Sequence, residues 1–416
     1  MITLFLDKTE IMNKSTHFIG QPIFSQLLKL IDRNKINKIV KEQKSDRYYK
    51  SFKTWEHLVT MLYAVLSDCK TLRELTTGLL ACEGKLNHLG INYCAKRSTI
   101  SDGNKNRSSN VFKSVYMMLY DTYSDFLSDS LKSGKLPKRL KLIDSTTIGL
   151  FKEILKTSGR KRIDGKQKGG IKAHTVIDAD NYVPNFIHFT SAATHDKCIL
   201  DVMKLEAGDF VCFDKAYIDY KRFYNWSIRG VFMVTRMKGN GVYEQLKELD
   251  IPDNCDSGVI KDEVITVDTM DVEGTPQKLK LRRVAYWDNK KKKVYVFISN
   301  QLELEADVIA LIYKKRWYIE TLFRKLKQNF PLKYFLGDNQ NAIEIQIWVS
   351  YISMLLLEVI RKRVKKKWAF SNMASMVKFH LMNYIKLISF LNNPEKAWSE
   401  QNKKNVFVPD LFNSSA

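Results

Sequence analysis

The chain has 416 residues, of which 68 are Lys or Arg and 45 are Asp or Glu, so its formal net charge is +23 at pH 7. Hydrophobic residues make up 44% of the chain and glycine and proline are sparse, which excludes wholesale disorder and predicts two or three compact units. The basic excess favours a polyanionic partner, nucleic acid above all, over an acidic small molecule.

Residues 1–136 are predicted to form a helical N-terminal region. Apolar residues recur at helical spacing, and Thr71 followed by Glu74 has the spacing of a capping box. A long helix is expected to begin near Ser109. Just before it, the segment AKRSTISDGNKNR carries the cluster of cations Lys96, Arg97, Lys105 and Arg107. That segment fits a helix-turn-helix DNA reader and an ordinary connector between packed helices equally well.

Residues 137–237 change to an alternating pattern that predicts the first part of an α/β core. The segment from Arg139 to Leu150 reads as a central strand with Asp144 embedded in it. Burying an ionised carboxylate is costly unless it is paired or binds a metal. At this point a structural ion pair with a Lys or Arg is as good an account of Asp144 as a metal site.

The core pattern continues with two strands, from Ile171 and from Tyr182, and a helix from His195 to Glu206. A buried strand follows from Asp209, and Asp214 stands at its C-terminal end, where ligands of open α/β sheets gather. A helix cap or turn is the alternative role for Asp214. A further helix and a strand from Val231 complete this part.

Residues 238–300 are predicted to form a separate, β-rich insertion. The turn from Asp288 to Lys293 contains four lysines, which solvate a hairpin or contact phosphate. Trp287 beside this turn is interpreted as a core residue in preference to a platform for an extrahelical base.

Residues 301–392 are predicted to complete the core, beginning with an amphipathic helix from Tyr313 to Lys327. About 100° of rotation per residue places Tyr313, Arg316, Glu320 and Lys327 within an arc of roughly 60°. Large apolar residues occupy a different arc, so one side of the helix is predicted to pack against the core and the other to carry the functional residues. A solvated face with helix-stabilising charge pairs remains the alternative.

The rest of the chain indicates a protein without membrane contact. The apolar stretch 345–360 is interrupted by Gln346, Ser350 and Glu358 and is interpreted as a buried helix. The tail, 393–416, is polar. The six cysteines form no CxxC pair and are interpreted as reduced packing residues. We therefore expect a cytoplasmic protein.

Asp144, Asp214 and Glu320 stand out for separate reasons, and together they predict a catalytic metal site. A strand, a second strand and a helix could bring these three hard oxygen ligands to one edge of a sheet, as Mg²⁺ prefers. Two such ions would support in-line phosphoryl transfer. The competing carboxylates Asp178, Asp196 and Asp209 fit turns, a helix cap and the wrong end of a strand.

The residues Tyr313, Arg316, Glu320 and Lys327 resemble the YREK signature of the IS-four family of bacterial insertion-sequence transposases, without a gap in spacing. Asp144 in LIDST and Asp214 in DFVCFDKAY resemble the two aspartates of that family's DDE triad. The likeness covers roughly residues 142–348, and the helical N-terminal region also looks like the domain that precedes this core in some members. It implies a ribonuclease-H-like mixed sheet interrupted by a β-rich insertion.

The resemblance implies that Asp144, Asp214 and Glu320 hold two Mg²⁺ ions, with Mn²⁺ as a possible substitute. It also implies that Tyr313, Arg316 and Lys327 bind phosphates of double-stranded transposon-end DNA. The implied function is cut-and-paste transposition, with cleavage at terminal inverted repeats and strand transfer to target DNA. A homodimer in the synaptic complex and a bacterial, nucleoid-associated location follow from that function.

Two alternatives stay open. A stand-alone ribonuclease-H-like nuclease would need similar acidic ligands, although the YREK spacing and the large insertion argue against it. A catalytically inactive, transposase-derived DNA-binding protein would not need Asp144, Asp214 and Glu320 intact. The family pattern leads us to expect Arg-Gly after the second aspartate, whereas this chain has Lys215 and Ala216, which makes Asp214 the less secure assignment.

Overall fold

The structure is a computed structural model that describes residues 20–82, 84–128, 134–149, 169–251 and 258–396. Its N-terminal region is helical, as predicted. Thr71 caps its helix through a 3.1 Å bond from the backbone N–H of Glu74, and Asp32 caps another at 2.8 Å from that of Asn34. The helices are α1 (Ile23–Leu28), α2 (Arg33–Gln43), α3 (Thr54–Leu66), α4 (Leu72–Leu80), α5 (Arg97–Asn106) and α6 (Ser109–Leu127).

The core is built on a mixed sheet whose first five strands have the order β3-β2-β1-β4-β5. β1 pairs antiparallel with β2 and parallel with β4, and β4 pairs parallel with β5. This is the topology of the ribonuclease-H-like fold, so the predicted fold class is confirmed. The strands are β1 (Leu140–Gly149), β2 (Gly170–Asp178), β3 (Pro184–Ser191), β4 (Phe210–Phe213) and β5 (Phe232–Arg236).

Side chains alternate between the two faces of this sheet, and each face is covered by helices. Leu142 packs into one hydrophobic cluster and Ile143 into the other, as the two-residue period of a strand requires. The helix predicted from His195 to Glu206 is much shorter than expected. It consists of a 3₁₀ turn, Asp196–Cys198, and α7 (Ile199–Val202), because the backbone becomes extended at Met203. The next helix, α8 (Tyr220–Ile228), covers the same face.

The β-rich insertion extends the core sheet and does not form the separate unit expected from the sequence. Its strands are β6 (Glu244–Glu248), β7 (Val259–Met270), β8 (Pro276–Asp288) and β9 (Lys293–Ser299). β9 pairs antiparallel with β5, and the order β9-β8-β7-β6 continues the sheet to nine strands. The hydrogen-bonding edge of β5, which would otherwise be open, is thereby covered.

The helix predicted from Tyr313 to Lys327 is broken at Arg316. The residue ends α9 (Ala306–Lys315) and precedes α10 (Trp317–Asn329), and its own φ and ψ remain in the helical region. The remaining helices are α11 (Gln340–Arg363), α12 (Phe370–Phe379) and α13 (Leu387–Asn392).

The helix α11 is the shared centre of the molecule. Within the described ranges it is the one helix long and apolar enough to span a membrane, and 89% of its most apolar window is buried in the protein. It packs against α3, α5 and α6 from the N-terminal region and against α10 and α12 from the core. The prediction of a buried helix here is confirmed.

A buried polar network strengthens this contact between the two regions. Arg107 donates to His57 Nδ1 at 2.8 Å and to the Phe52 carbonyl at 2.7 Å. His57 in turn lies 2.7 Å from Asn104, and Asn341 of α11 donates to the Asn104 carbonyl at 2.8 Å. Burial and the nearby Arg107 lower the pKa of His57 to about 3, so the imidazole is neutral.

Candidate active site

Three elements converge where β1 and β4 meet α10. Because β1 and β4 are parallel neighbours, Asp144 in β1 and Asp214 just after β4 lie toward the same edge of the sheet. The helix α10 packs against β1 and brings Glu320 to the same place. The structure therefore brings together the three carboxylates singled out from the sequence.

Arg316 lies between two of these carboxylates. Its Nη1 is 3.1 Å from Asp144 Oδ2, and its Nη2 is 2.6 Å from Glu320 Oε1. The arginine side chain is buried, and the break between α9 and α10 gives it this position. One guanidinium thus ties the central strand to the glutamate helix through two charge-assisted hydrogen bonds.

Asp144 has an environment that disfavours its negative charge. Burial raises the pKa of its carboxyl to about 6, and the neighbouring charges of Glu320 and Asp214 act in the same direction. Arg316 and the backbone N–H of Ser145 oppose this rise without cancelling it. The cluster is consequently short of positive charge, and an added cation would relieve it.

The donor set suits divalent metal ions, since three carboxylates offer the hard oxygen ligands that Mg²⁺ takes. In the described part of the chain, however, no three His, Cys, Asp or Glu side chains are already assembled as a metal cage. The guanidinium of Arg316 lies between Asp144 and Glu320 and contacts both carboxylates.

Asp214 has the capping role that was one of the two suggested by its sequence position. Its Oδ1 caps the 3₁₀ turn Lys215–Tyr217 by accepting the Lys215 backbone N–H at 2.7 Å. The hydroxyl of Tyr313 donates to the same oxygen at 3.4 Å. Burial raises the pKa of Tyr313 above its usual value, so the phenol keeps its proton. The turn and the tyrosine therefore orient one carboxylate oxygen.

Lys327 lies farther along α10 and is more exposed. Its Nζ donates to the carbonyl of Thr147, three residues beyond Asp144 in β1, at 2.8 Å. In contrast, Tyr313 and Arg316 are buried against the carboxylates. Of the three residues predicted to contact DNA, Lys327 is the one most accessible to a phosphate in this arrangement.

The competing carboxylates are engaged elsewhere. Asp209 is buried at the start of β4, 2.7 Å from Arg139 Nε and 2.9 Å from Lys141 Nζ. Asp178 accepts hydrogen bonds at 2.7 Å from Tyr120 and at 2.8 Å from Asn185. Both carboxylates therefore form structural contacts that lie away from Asp144.

Asp196 belongs to a polar chain beside the site. It accepts from the hydroxyl of Ser145 at 2.6 Å and pairs with Lys172 Nζ at 3.0 Å. Because Ser145 directly follows Asp144, this chain supports the strand that carries the catalytic candidate. Lys172 was not among the residues singled out from the sequence, and no local pattern would have found its long-range contact with Asp196.

The lysine-rich turn of the insertion reaches the start of α10. Lys291 Nζ lies 3.8 Å from the ring centroid of Trp317, next to Arg316. Trp287, interpreted from the sequence as core, is 36% exposed, and its indole N–H donates to Asn289 at 2.7 Å. The interpretation was wrong because Trp287 lies at the hairpin end of β8, beyond the packed part of the sheet.

Two family models match the chain. The model described as a transposase DDE domain matches residues 135–356, which include all three carboxylates. A model described as a domain of unknown function, DUF4372, matches residues 19–92, within the helical N-terminal region.

Curated relatives are similar over the same part. A putative transposase, y4zB, of Sinorhizobium fredii is 29% identical over 264 residues, covering 62% of this chain and 70% of the relative. A probable transposase for insertion sequence element IS5377 of Geobacillus stearothermophilus is 25% identical over 240 residues, covering 57% and 60%. A solved structure of the piggyBac transposase synaptic complex with hairpin DNA is 12% identical, with a TM-score of 0.39 and coverage of 95% and 87%.

Proposed function

The chain belongs to the transposase DDE family, and from that premise we propose that it moves an insertion sequence by a cut-and-paste route. It would cleave phosphodiester bonds at terminal inverted repeats and join the freed ends to target DNA. The net charge of +23 suits a protein that binds DNA throughout this reaction.

In this proposal Asp144, Asp214 and Glu320 are the ligands of two Mg²⁺ ions, for which Mn²⁺ can substitute. When bound, such ions activate the attacking oxygen and stabilise the leaving oxygen of an in-line displacement. The hydrogen bonds from Lys215 N–H and Tyr313 keep Asp214 oriented toward the site. Burial of Asp144 strengthens its attraction for a cation.

Arg316 and Lys327 supply the positive charge that a phosphodiester needs beside the reacting bond. Arg316 offsets part of the negative charge of Asp144 and Glu320 before DNA arrives. Lys327 is anchored to β1 through the Thr147 carbonyl, so its charge is held near the strand that carries Asp144. Tyr313 keeps its proton, so its hydroxyl can donate to a phosphate oxygen once it releases Asp214.

The observation that carries the proposal is the pair of contacts from Arg316 to Asp144 and Glu320. Arg316 contacts Asp144, 172 positions earlier in the chain, and Glu320, four positions later. Its two contacts therefore join carboxylates from distant parts of the sequence into one acidic cluster with Asp214. Such a cluster is costly for a protein that only binds DNA, whereas it suits metal-dependent phosphoryl transfer.

The test is an assay with Mg²⁺ and a duplex bearing the terminal repeat read from the DNA that flanks the gene. We expect cleavage at the repeat and strand joining, both abolished in Asp144→Ala and Glu320→Ala and both retained in the surface control Asp201→Asn. Cleavage that is equal on a scrambled end would instead identify a stand-alone nuclease. Binding of the repeat without cleavage would identify an inactive DNA-binding protein.

Synapsis of two ends requires two catalytic centres, so we propose a homodimer in the DNA complex and a cytoplasmic, nucleoid-associated enzyme. Light scattering after size-exclusion chromatography, with and without terminal-repeat DNA, measures the first point. A complex that contains one protein chain and one DNA end under cleaving conditions would contradict it.

A further inference from the structure

A second concave site lies on the face of α10 that points away from Glu320. It is a cleft of about 530 Å³ between the β2–β3 turn, α10, the C-terminal half of α11 and the loop that follows α11. The volume is in the range of ligand-binding pockets. Its apolar floor includes Val183, Pro184, Leu322, Met354 and Leu355.

Aromatic rings stand on two sides of this cleft. Tyr182 and Tyr318 stack with their ring centroids 4.1 Å apart, and Tyr318 is 43% exposed. On the opposite side, the indole N–H of Trp368 donates to the Leu391 carbonyl at 2.8 Å, which holds the ring in place. Fixed rings with an accessible face are platforms on which flat, apolar groups stack.

The rim of the cleft is strongly basic. Five of its lining residues are cationic and one, Glu358, is acidic. The acid contacts Lys325 at 2.7 Å and Arg361 at 2.6 Å, so it offsets charge only on that side. The remaining cations are Lys362, Lys366 and Lys367. Lys362 Nζ donates to the Ser128 carbonyl at 2.8 Å, and Lys366 Nζ lies 3.5 Å from the exposed Glu395 and 5.0 Å from the ring centroid of Trp368. Charge and aromatic surface therefore lie side by side.

We propose that this cleft binds a short unpaired segment of a DNA strand, with bases on Tyr318 and Trp368 and phosphates along the lysines. Cations beside stacking rings are the combination by which proteins hold single strands regardless of sequence. The apolar floor suits base faces, whereas a phosphate backbone alone would need no apolar floor. The inference deepens the proposed function, because it assigns a place to DNA that leaves the duplex during the reaction.

The direct test is ultraviolet crosslinking of the full chain to an eight-nucleotide oligothymidine that contains 5-bromodeoxyuridine, followed by mass spectrometry. We expect crosslinks at Tyr318 or Trp368. Crosslinks confined to other parts of the chain would overturn the proposal.

Affinity for the same oligonucleotide, measured by fluorescence anisotropy, provides the quantitative test. Loss of one stacking base contact lowers affinity by about 5-fold to 100-fold, which is the effect expected for Tyr318→Ala. The control Phe379→Ala removes a ring that is 77% exposed on α12 and should leave the affinity unchanged. Equal affinities of Tyr318→Ala and the wild type would refute the inference.

Two further outcomes distinguish this inference from binding of an acidic peptide and from the proposed function. A polyglutamate peptide that displaces the oligonucleotide at equal concentration would show a site for acidic peptides and would overturn it. Cleavage of a fully paired terminal repeat by the wild type, without any crosslink in the cleft, would leave the proposed function standing and remove only this inference. Crosslinks in the cleft without any cleavage of the terminal repeat would support this inference and contradict the proposed function.

Discussion

Replacing Asp144 with asparagine should stabilise the metal-free protein at neutral pH while it destroys activity. Burial raises the pKa of Asp144 to about 6 from an ordinary 3.8, so the folded protein prefers the protonated carboxyl. The stabilising contribution of the protonated form is fully present below about pH 4 and is lost as pH rises through about 6. Asparagine approximates that neutral form at every pH.

The expected gain in the free energy of unfolding follows from the same pKa. The difference between about 6 and 3.8 corresponds to about 3 kcal/mol at pH 7.5. The Asp144 side chain is 19% exposed, so solvent reduces the figure only moderately, and we expect about 2–3 kcal/mol. Urea unfolding in EDTA at pH 5 and pH 7.5 measures this difference in the free energy of unfolding between the variant and the wild type.

The wild type should lose stability between pH 5 and pH 7.5 relative to Asp144→Asn, and the two proteins should converge toward pH 4. Adding Mg²⁺ at pH 7.5 should stabilise the wild type more than the variant, because the cation relieves the crowded negative charge. Parallel stability curves for the two proteins across this pH range would refute the conclusion that the ionised Asp144 carboxylate destabilises the folded protein. The control Asp201→Asn should follow the wild type.

Three other substitutions probe the site and its support. Lys327→Ala should weaken binding of terminal-repeat DNA and reduce the slope of log affinity against log salt by about 1, measured by anisotropy titrations. Tyr313→Phe removes the hydroxyl 3.4 Å from Asp214 and should slow cleavage about 2-fold to 10-fold while DNA affinity changes less, measured in single-turnover assays. Arg107→Ala leaves buried acceptors unpaired and should lower the free energy of unfolding by about 3–5 kcal/mol, whereas the exposed control Arg47→Ala should change it little.

The sequence could locate the three carboxylates because each sits in a pattern with local meaning. Asp144 interrupts a buried strand, Asp214 follows another strand, and Glu320 lies on the polar side of an amphipathic helix. Hydrophobic periodicity depends on neighbours a few positions away, so a single sequence contains it. The predicted fold class rested on the same local patterns together with the family resemblance.

Those local patterns could not predict contacts between residues that lie far apart in the sequence. The break at Arg316 allows one guanidinium to meet Asp144, which lies 172 positions earlier, and helical spacing alone predicts an unbroken stripe. The pairing of β9 with β5 depends on edge-to-edge hydrogen bonding between strands that are distant along the chain. The position of Trp287 depends on where the packed sheet ends, which alternation in one strand does not reveal.

The central position of α11 also has a consequence for the order in which the chain can fold. The helices α3, α5 and α6 all pack against α11, which is made more than 200 residues after α6 ends. At about 5–20 residues per second, synthesis of that interval takes on the order of 10–50 s. During this time the N-terminal helices lack their main packing partner. The N-terminal helical region thus completes its packing only when the catalytic half has been made, so we expect a prematurely terminated chain to leave these helices without their main packing partner.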